Sequence, residues 1–220
     1  MKKVHFVLLL PPILVMPPLL LLPFDLGLSK GIIGAGGDTV HGIAQVFSRL
    51  GKLEWSTLCV ALLFFAASRC WTGEKRKKFS QVAKGCLIAG VLAGIAVWPG
   101  KMLLGRERPS AESTGELTWA KAGLIGKNRY HSMPSGHAST SFASMTACVI
   151  LYPPSAIVLT PIAITTGWSR VKLQKHWPSD VLAGWMLGGV IGFFTAQTLK
   201  RRSRVEEEKS LPLPVALSQD

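Results

Sequence analysis

The chain has 220 residues, of which 48% are hydrophobic and only 17% charged. A soluble domain carries about 25% charge, so this composition excludes an ordinary soluble enzyme and points to a membrane protein. The formal net charge of +13 would suit a nucleic-acid partner, but the basic residues gather beside apolar runs, at Arg69–Lys78 and Lys200–Arg204. That is the pattern of helix ends held on the cytoplasmic side, and no nucleic acid is expected.

The first apolar run, Val4–Phe24, follows Lys2-Lys3. It reads as a transmembrane helix whose prolines are tolerated by kinks or neighbouring helices. A secretory signal peptide is the competing reading. The length of the run, its prolines and the lack of a clear small-residue cleavage site favour a retained span. Gly34-Ala35-Gly36-Gly37 lacks the spacing and strand context of a dinucleotide fingerprint. Residues 38–52 place Val40, Ile43, Val46, Phe47 and Leu50 on the apolar face of a helix lying on the outer surface. Further spans are expected near Trp55–Trp71, Val82–Leu104, Ala138–Leu151, Ser155–Trp168 and Val181–Leu199. Cys59, Cys70, Cys86 and Cys148 all lie in or beside these runs and form no CxxC pair. They read as small buried hydrophobes, with neither a disulfide framework nor a zinc site.

Two of these runs are short for a helix that needs ~20 residues to cross the hydrocarbon core. They are parted only by Tyr152-Pro153-Pro154, and the prolines favour a helical hairpin over one continuous helix. Gly90-x3-Gly94 and Gly184-x3-Gly188-x3-Gly192 are small-residue repeats that let helices approach closely. The expected fold is an all-α polytopic membrane protein with six transmembrane helices over residues 1–205. Residues 206–220, polar and Pro-containing, read as a loose tail. Lys2-Lys3, Lys75–Lys78 and Lys200–Arg204 fall on one side of this arrangement, which the positive-inside rule makes the cytoplasm. Loops 25–54, 101–137 and 169–180 then face outward.

Those outward loops carry three strings: Lys101-x6-Arg108-Pro109, Pro134-Ser135-Gly136-His137 and Ser169-Arg170-x5-His176-x3-Asp180. Transfer of a phosphoryl group is largely positioning plus neutralisation of charge on its oxygens. Lys101, Arg108 and Arg170 supply fixed cations, with Arg able to bond two oxygens at once. Ser135 and Gly136 stand where a helix starts, a position whose N–H groups bind anions. His176 and Asp180 are four apart, so the carboxylate can accept one ring N–H and leave the other nitrogen nucleophilic. His176 is then the nucleophile, forming a phosphohistidine, and His137 the acid that protonates the leaving oxygen and later activates water. Three cations and a helix terminus supply the electrostatics, so neither a metal nor a cofactor is expected. A non-catalytic lipid-binding or transport protein would not need two histidines and an orienting carboxylate.

The ordered triplet resembles the signature of the type 2 phosphatidic acid phosphatase (PAP2) superfamily, KxxxxxxRP, PSGH and SRxxxxxHxxxD, with no departure in Lys101–Pro109, Pro134–His137 and Ser169–Asp180. The resemblance implies a six-helix membrane fold and metal-independent dephosphorylation of a lipid phosphate at the outer face of a bacterial inner membrane. It implies that Lys101, Arg108, Ser135, Gly136 and Arg170 bind phosphate, that His137 is the acid, that His176 is the nucleophile and that Asp180 orients it. Relatives with this signature act on isoprenyl diphosphates, phosphatidylglycerol phosphate, phosphatidate or lipid A phosphates. Some pass the phosphate to a second lipid, and a soluble branch holds vanadate; the spans argue against that branch. Loop 110–133, with Trp119, Lys121, Lys127, Arg129 and Tyr130, is basic enough to favour a diphosphate or sugar phosphate. The expected partners are the lipid substrate and the surrounding membrane lipids, with no obligatory protein partner.

Overall fold

The computed structural model describes residues 16–109, 113–119 and 128–210. Among these the fold is helical, with one isolated antiparallel bridge between Arg106 and Leu117. Seven helices follow in chain order: α1 (Met16–Gly34), tightened at Leu22–Phe24; α2 (Asp38–Leu50); α3 (Val60–Arg69), entered through a wide π-helical turn at Glu54–Cys59; α4 (Gly73–Leu104); α5 (Gly136–Leu151); α6 (Ala156–Lys172); and α7 (Pro178–Ser210).

Three of these, α1, α4 and α7, are long and apolar enough to cross a membrane by length and composition, and α2 with α3 make a fourth if that pair, bent by 66°, is one span. Helices α5 and α6, of 16 and 17 residues, extend only about 24–26 Å at 1.5 Å per residue, short of the ~30 Å hydrocarbon core. The all-helical, membrane-type part of the expectation holds; of the six expected spans, three helices among the described residues, or four with the bent pair, are long and apolar enough to cross. The first expected span is described only in part. Its residues 4–15 lie outside the described residues, and the described helix runs on from Met16 to Gly34. Hydropathy marks the run of apolar residues without fixing where the helix ends, here ten residues beyond Phe24.

Pro153 and Pro154 do turn the chain, in one 3₁₀ turn between α5 and α6. Ser155 closes that turn by donating from its hydroxyl to Tyr152 O at 2.8 Å. The hairpin brings the first residue of α5 and the last turn of α6 to the same end of the bundle as the C-terminus of α4 and the start of α7. The small-residue repeats explain how tightly these helices meet. A Cβ placed on Gly184, Gly188 or Gly192 would lie 2.6, 2.3 or 2.5 Å from Ser135 O, Ser139 O or Ala143 O. Backbone cannot yield to such an approach, so any larger residue there would prise α7 from α5. On α4, a Cβ on Gly90 would meet side-chain atoms of Thr57 and Ser144 at 2.2–2.6 Å, whereas Gly94 has ordinary room.

At the opposite end, Ala61, Val82, Cys86, Cys148, Leu151 and Ala196 form an apolar cluster. Helix α7 continues past it to Ser210. Residues 206–210 are thus helical where the sequence suggested a loose tail; the Glu and Lys residues there are good helix formers. Residues 211–220 lie outside the described residues. The amphipathic helix expected over 38–52 is α2, but only part of its apolar face is covered. Ala44 and Ser48 are buried, while Ile43 and Val46 are exposed.

Candidate active site

The three strings converge at one end of the bundle. Lys101 sits in the last turn of α4, 8% exposed, and donates to His131 O at 2.8 Å. Arg108 reaches the same carbonyl at 3.3 Å, donates to Asn128 O at 2.9 Å and to Lys175 O at 3.2 Å. One backbone oxygen therefore gathers the two cations of the first string, and Lys175 ties them to the third. Burial lowers the Arg108 guanidinium from its ordinary value, with the Asp180 charge opposing.

The second string is the entry to α5. Ser135 is its N-cap residue, in extended conformation, yet its hydroxyl makes no capping bond. The Ser135 N–H donates to Asp180 O at 2.9 Å, which joins this turn to the start of α7. Gly136 and His137 follow as the first two residues of α5, half-buried. The His137 ring lies within electrostatic reach of Arg170, His176, Lys52 and Lys101.

The third string is divided between two helices. Ser169 and Arg170 were expected on a loop, but α6 runs through them to Lys172 because the apolar run marks only its membrane-thick part. Arg170 is 9% exposed, and its Nη1 donates to Ser48 Oγ of α2 at 2.5 Å. Arg170 O accepts from the N–H groups of Lys175 and His176 at 2.9 and 3.2 Å, so the cation and the imidazole share one tight turn. His176 is 2% exposed and Asp180 fully buried. His176 Nδ1 lies 3.6 Å from Asp180 Oδ2, an ion-pair distance and longer than a hydrogen bond. Burial pulls the His176 imidazole down to about 3, against the opposing pull of Asp180.

All eight residues that the strings singled out thus meet around one point. Three buried polar atoms among them have no hydrogen-bond partner: Ser135 Oγ, Arg170 Nε and His176 Nδ1. Buried polar atoms are nearly always paired; His176 Nδ1 faces Asp180, which leaves Ser135 Oγ and Arg170 Nε as unsatisfied groups beside fixed cations. A tetrahedral anion matches this set, in charge and in number of oxygens. Among the described residues, no group of three or more His, Cys, Asp or Glu side chains is placed to hold a metal ion.

Several participants were missed by the sequence reading. Asp25 of α1 and Arg106 are both buried and joined at 2.6 Å, and Arg106 also reaches Asp180 at 2.6 Å. Ser132 Oγ donates to Asp180 Oδ2 at 2.5 Å. Ser48 and Lys52 come from α2 and the bend after it, where Gly51 leaves no room for a side chain against Thr166. One signal was available: a carboxylate at position 25 inside the run Leu22–Leu28 is costly in a membrane unless paired. Of loop 110–133, Lys121 and Lys127 lie outside the described residues. Arg129 pairs with Glu107, and its carbonyl accepts from the Arg108 N–H at 2.8 Å.

The model of the PAP2 superfamily matches residues 80–204. A lipid A 1-phosphatase of Rhizobium etli is 28% identical over 168 residues, 71% of this chain and 70% of that one. An undecaprenyl-diphosphatase of Sulfolobus acidocaldarius is 38% identical over 161 residues, 72% of this chain and 70% of that one. A transmembrane PAP2-type phosphatidylglycerolphosphate phosphatase of Bacillus subtilis, known from its crystal structure, has the same fold with a TM-score of 0.53 at 20% identity. The match covers 92% of this chain and 98% of that one.

Proposed function

The chain belongs to the PAP2 superfamily and is a lipid phosphatase, and we propose that it removes the terminal phosphate of a membrane lipid monophosphate or diphosphate through a phosphohistidine at His176. The observation that supports this reading is the pair of unpaired buried atoms Ser135 Oγ and Arg170 Nε, set among Lys101, Arg108 and the α5 N-terminus, with His176 Nδ1 turned to Asp180.

In the first step Asp180 holds the Nδ1 proton of His176, and the Nε2 lone pair forms a bond to phosphorus. The phosphorus–oxygen bond to the lipid breaks, and the leaving oxygen takes a proton from His137. In the second step His137 takes a proton from water, the water oxygen bonds to phosphorus, and the nitrogen–phosphorus bond breaks to release phosphate. Lys101, Arg108, Arg170, Ser135 Oγ and the Gly136 N–H hold the equatorial oxygens, where charge is spread during transfer. The low affinity of His176 for protons keeps its lone pair free at neutral pH. Basic clusters at the far end of α4 and α7 support a cytoplasmic position for that end, and with it a site at the outer face of a bacterial inner membrane.

The test is phosphate release by the purified protein in detergent from an isoprenyl diphosphate, phosphatidylglycerol phosphate, phosphatidate and lipid A. At least one lipid should be turned over, and His176→Ala should lower kcat by roughly 10³-fold or more. Undiminished release by His176→Ala would remove the mechanism.

A further inference from the structure

Asp180 is fixed by more than its neighbour His176. Its Oδ1 accepts from Arg106 Nη1 at 2.6 Å, and its Oδ2 accepts from Ser132 Oγ at 2.5 Å and from the Trp177 N–H at 2.9 Å. The same guanidinium turns its Nη2 to Asp25 Oδ2 at 2.6 Å and its Nε to Gly115 O at 2.8 Å. Ser179 closes the ring. Its N–H donates to Asp25 Oδ1 at 2.8 Å, its hydroxyl donates to Asp25 Oδ2 at 2.5 Å, and it accepts from Arg106 Nη1 at 2.6 Å. Asp25, Arg106, Ser179 and Asp180 are each 3% exposed or less.

Such a buried triad of charges is expensive to desolvate and contributes little net stability. Saturation makes it rigid instead. Asp25 accepts three hydrogen bonds, and Arg106 donates through all three of its nitrogens. The planar guanidinium cannot rotate toward one carboxylate without leaving the other. The face of Trp177 lies 5.5 Å from it and blocks a further direction. Arg106 is therefore held between two carboxylates, one from α1 and one beside His176. Take Asp25 away and Asp180 becomes the sole carboxylate partner of the cation, free to slide onto it and away from the imidazole.

We infer that Asp25 and Arg106 are positioning residues: the α1 carboxylate sets the guanidinium, the guanidinium sets Asp180, and Asp180 sets the His176 ring. Helix α1 then belongs to the active site as well as to the membrane. This rests on the phosphohistidine reading given above for what His176 does once it is set.

The experiment is a double-mutant cycle on the full-length protein in detergent. Phosphate release from the best lipid of the panel gives kcat and KM for wild type, Asp25→Asn, Asp180→Asn and the double variant. Misplacing a reacting group by about 1 Å costs on the order of 10²-fold, so Asp25→Asn should lower kcat by roughly 10- to 100-fold with KM moved by less than about threefold. Added to Asp180→Asn, it should cost less than about threefold more, because both act through one contact. An unchanged kcat in Asp25→Asn, or losses that multiply in full, would overturn the inference. If Asp25→Asn does not fold, Ser179→Ala loosens the same ring and is judged by the same criteria. A readout independent of turnover is the ring-nitrogen resonance of His176, assigned by its loss in His176→Gln. It should shift in Asp25→Asn, and an unmoved resonance also overturns the inference. If the wild type releases phosphate from no lipid, the phosphatase reading fails while this resonance still decides the role of Asp25.

Discussion

The two ends of the bundle are built from the same residue types and use them in opposite ways. At one end Lys101, Arg106 and Arg170 are buried, and each is pinned by a carbonyl, a hydroxyl or a carboxylate. At the other, Lys75–Lys78 on α4 and Lys200–Arg204 on α7 are exposed to solvent. The contacts there are loose: Lys75 over Trp71, Lys78 over Tyr152, and the uncharged pair Gln81–Ser203 at 2.9 Å. The net charge of +13 thus has two physical meanings. Exposed cations are screened and individually weak. Desolvated, immobile ones act at close quarters on whatever anion they meet.

The sharpest way to break the comparison is to remove one arginine from each end. Arg170→Ala should lower kcat/KM by about 10²- to 10³-fold, the usual cost of losing one fixed donor at a developing charge. Arg201→Ala should change it by less than about twofold, as exposed substitutions do. Steady-state phosphate release measures both, and comparable losses at the two ends would erase the distinction.

A smaller effect separates the ends through pH. His176 is held to about 3 by burial in the folded protein, against about 6.5 when unfolded. Below pH 6.5 the unfolded chain binds a proton at His176 that the native state refuses. Stability is therefore fully present above pH 6.5 and falls as the pH drops toward 3, by at most about 1.4 kcal/mol per pH unit. Thermal unfolding between pH 7 and 4 should show at least this slope in wild type, and His176→Gln should reduce it by the His176 share. Replacing an exposed lysine such as Lys77 should leave it unaltered.

How much of this was legible in the chain depended on whether a signal was local. The three strings are local, and the structure gathers all eight residues they named. The Tyr152-Pro153-Pro154 hairpin and the Gly184, Gly188 and Gly192 stripe were also legible, because proline geometry and small-residue spacing act within a few residues. Asp25 and Arg106 were not. They meet across 81 positions, and Arg106 sits among the unspecified places of the first string. Ser48 was masked in another way, as a polar residue on a helix read only for its apolar face. The limits of α1 and α7 were misjudged because hydropathy reports where a helix can be buried, while the helix itself continues as far as its backbone and polar side chains allow.

The proposed catalysis rests on covalent chemistry at His176, and the most direct measurement is to trap it. The protein is mixed with a lipid substrate labelled in its terminal phosphate, quenched within one turnover, and digested. The label should be found on the peptide carrying His176, in an acid-labile, base-stable linkage, and should be absent from His176→Ala. Label on another residue, or full turnover by His176→Ala, would contradict the account.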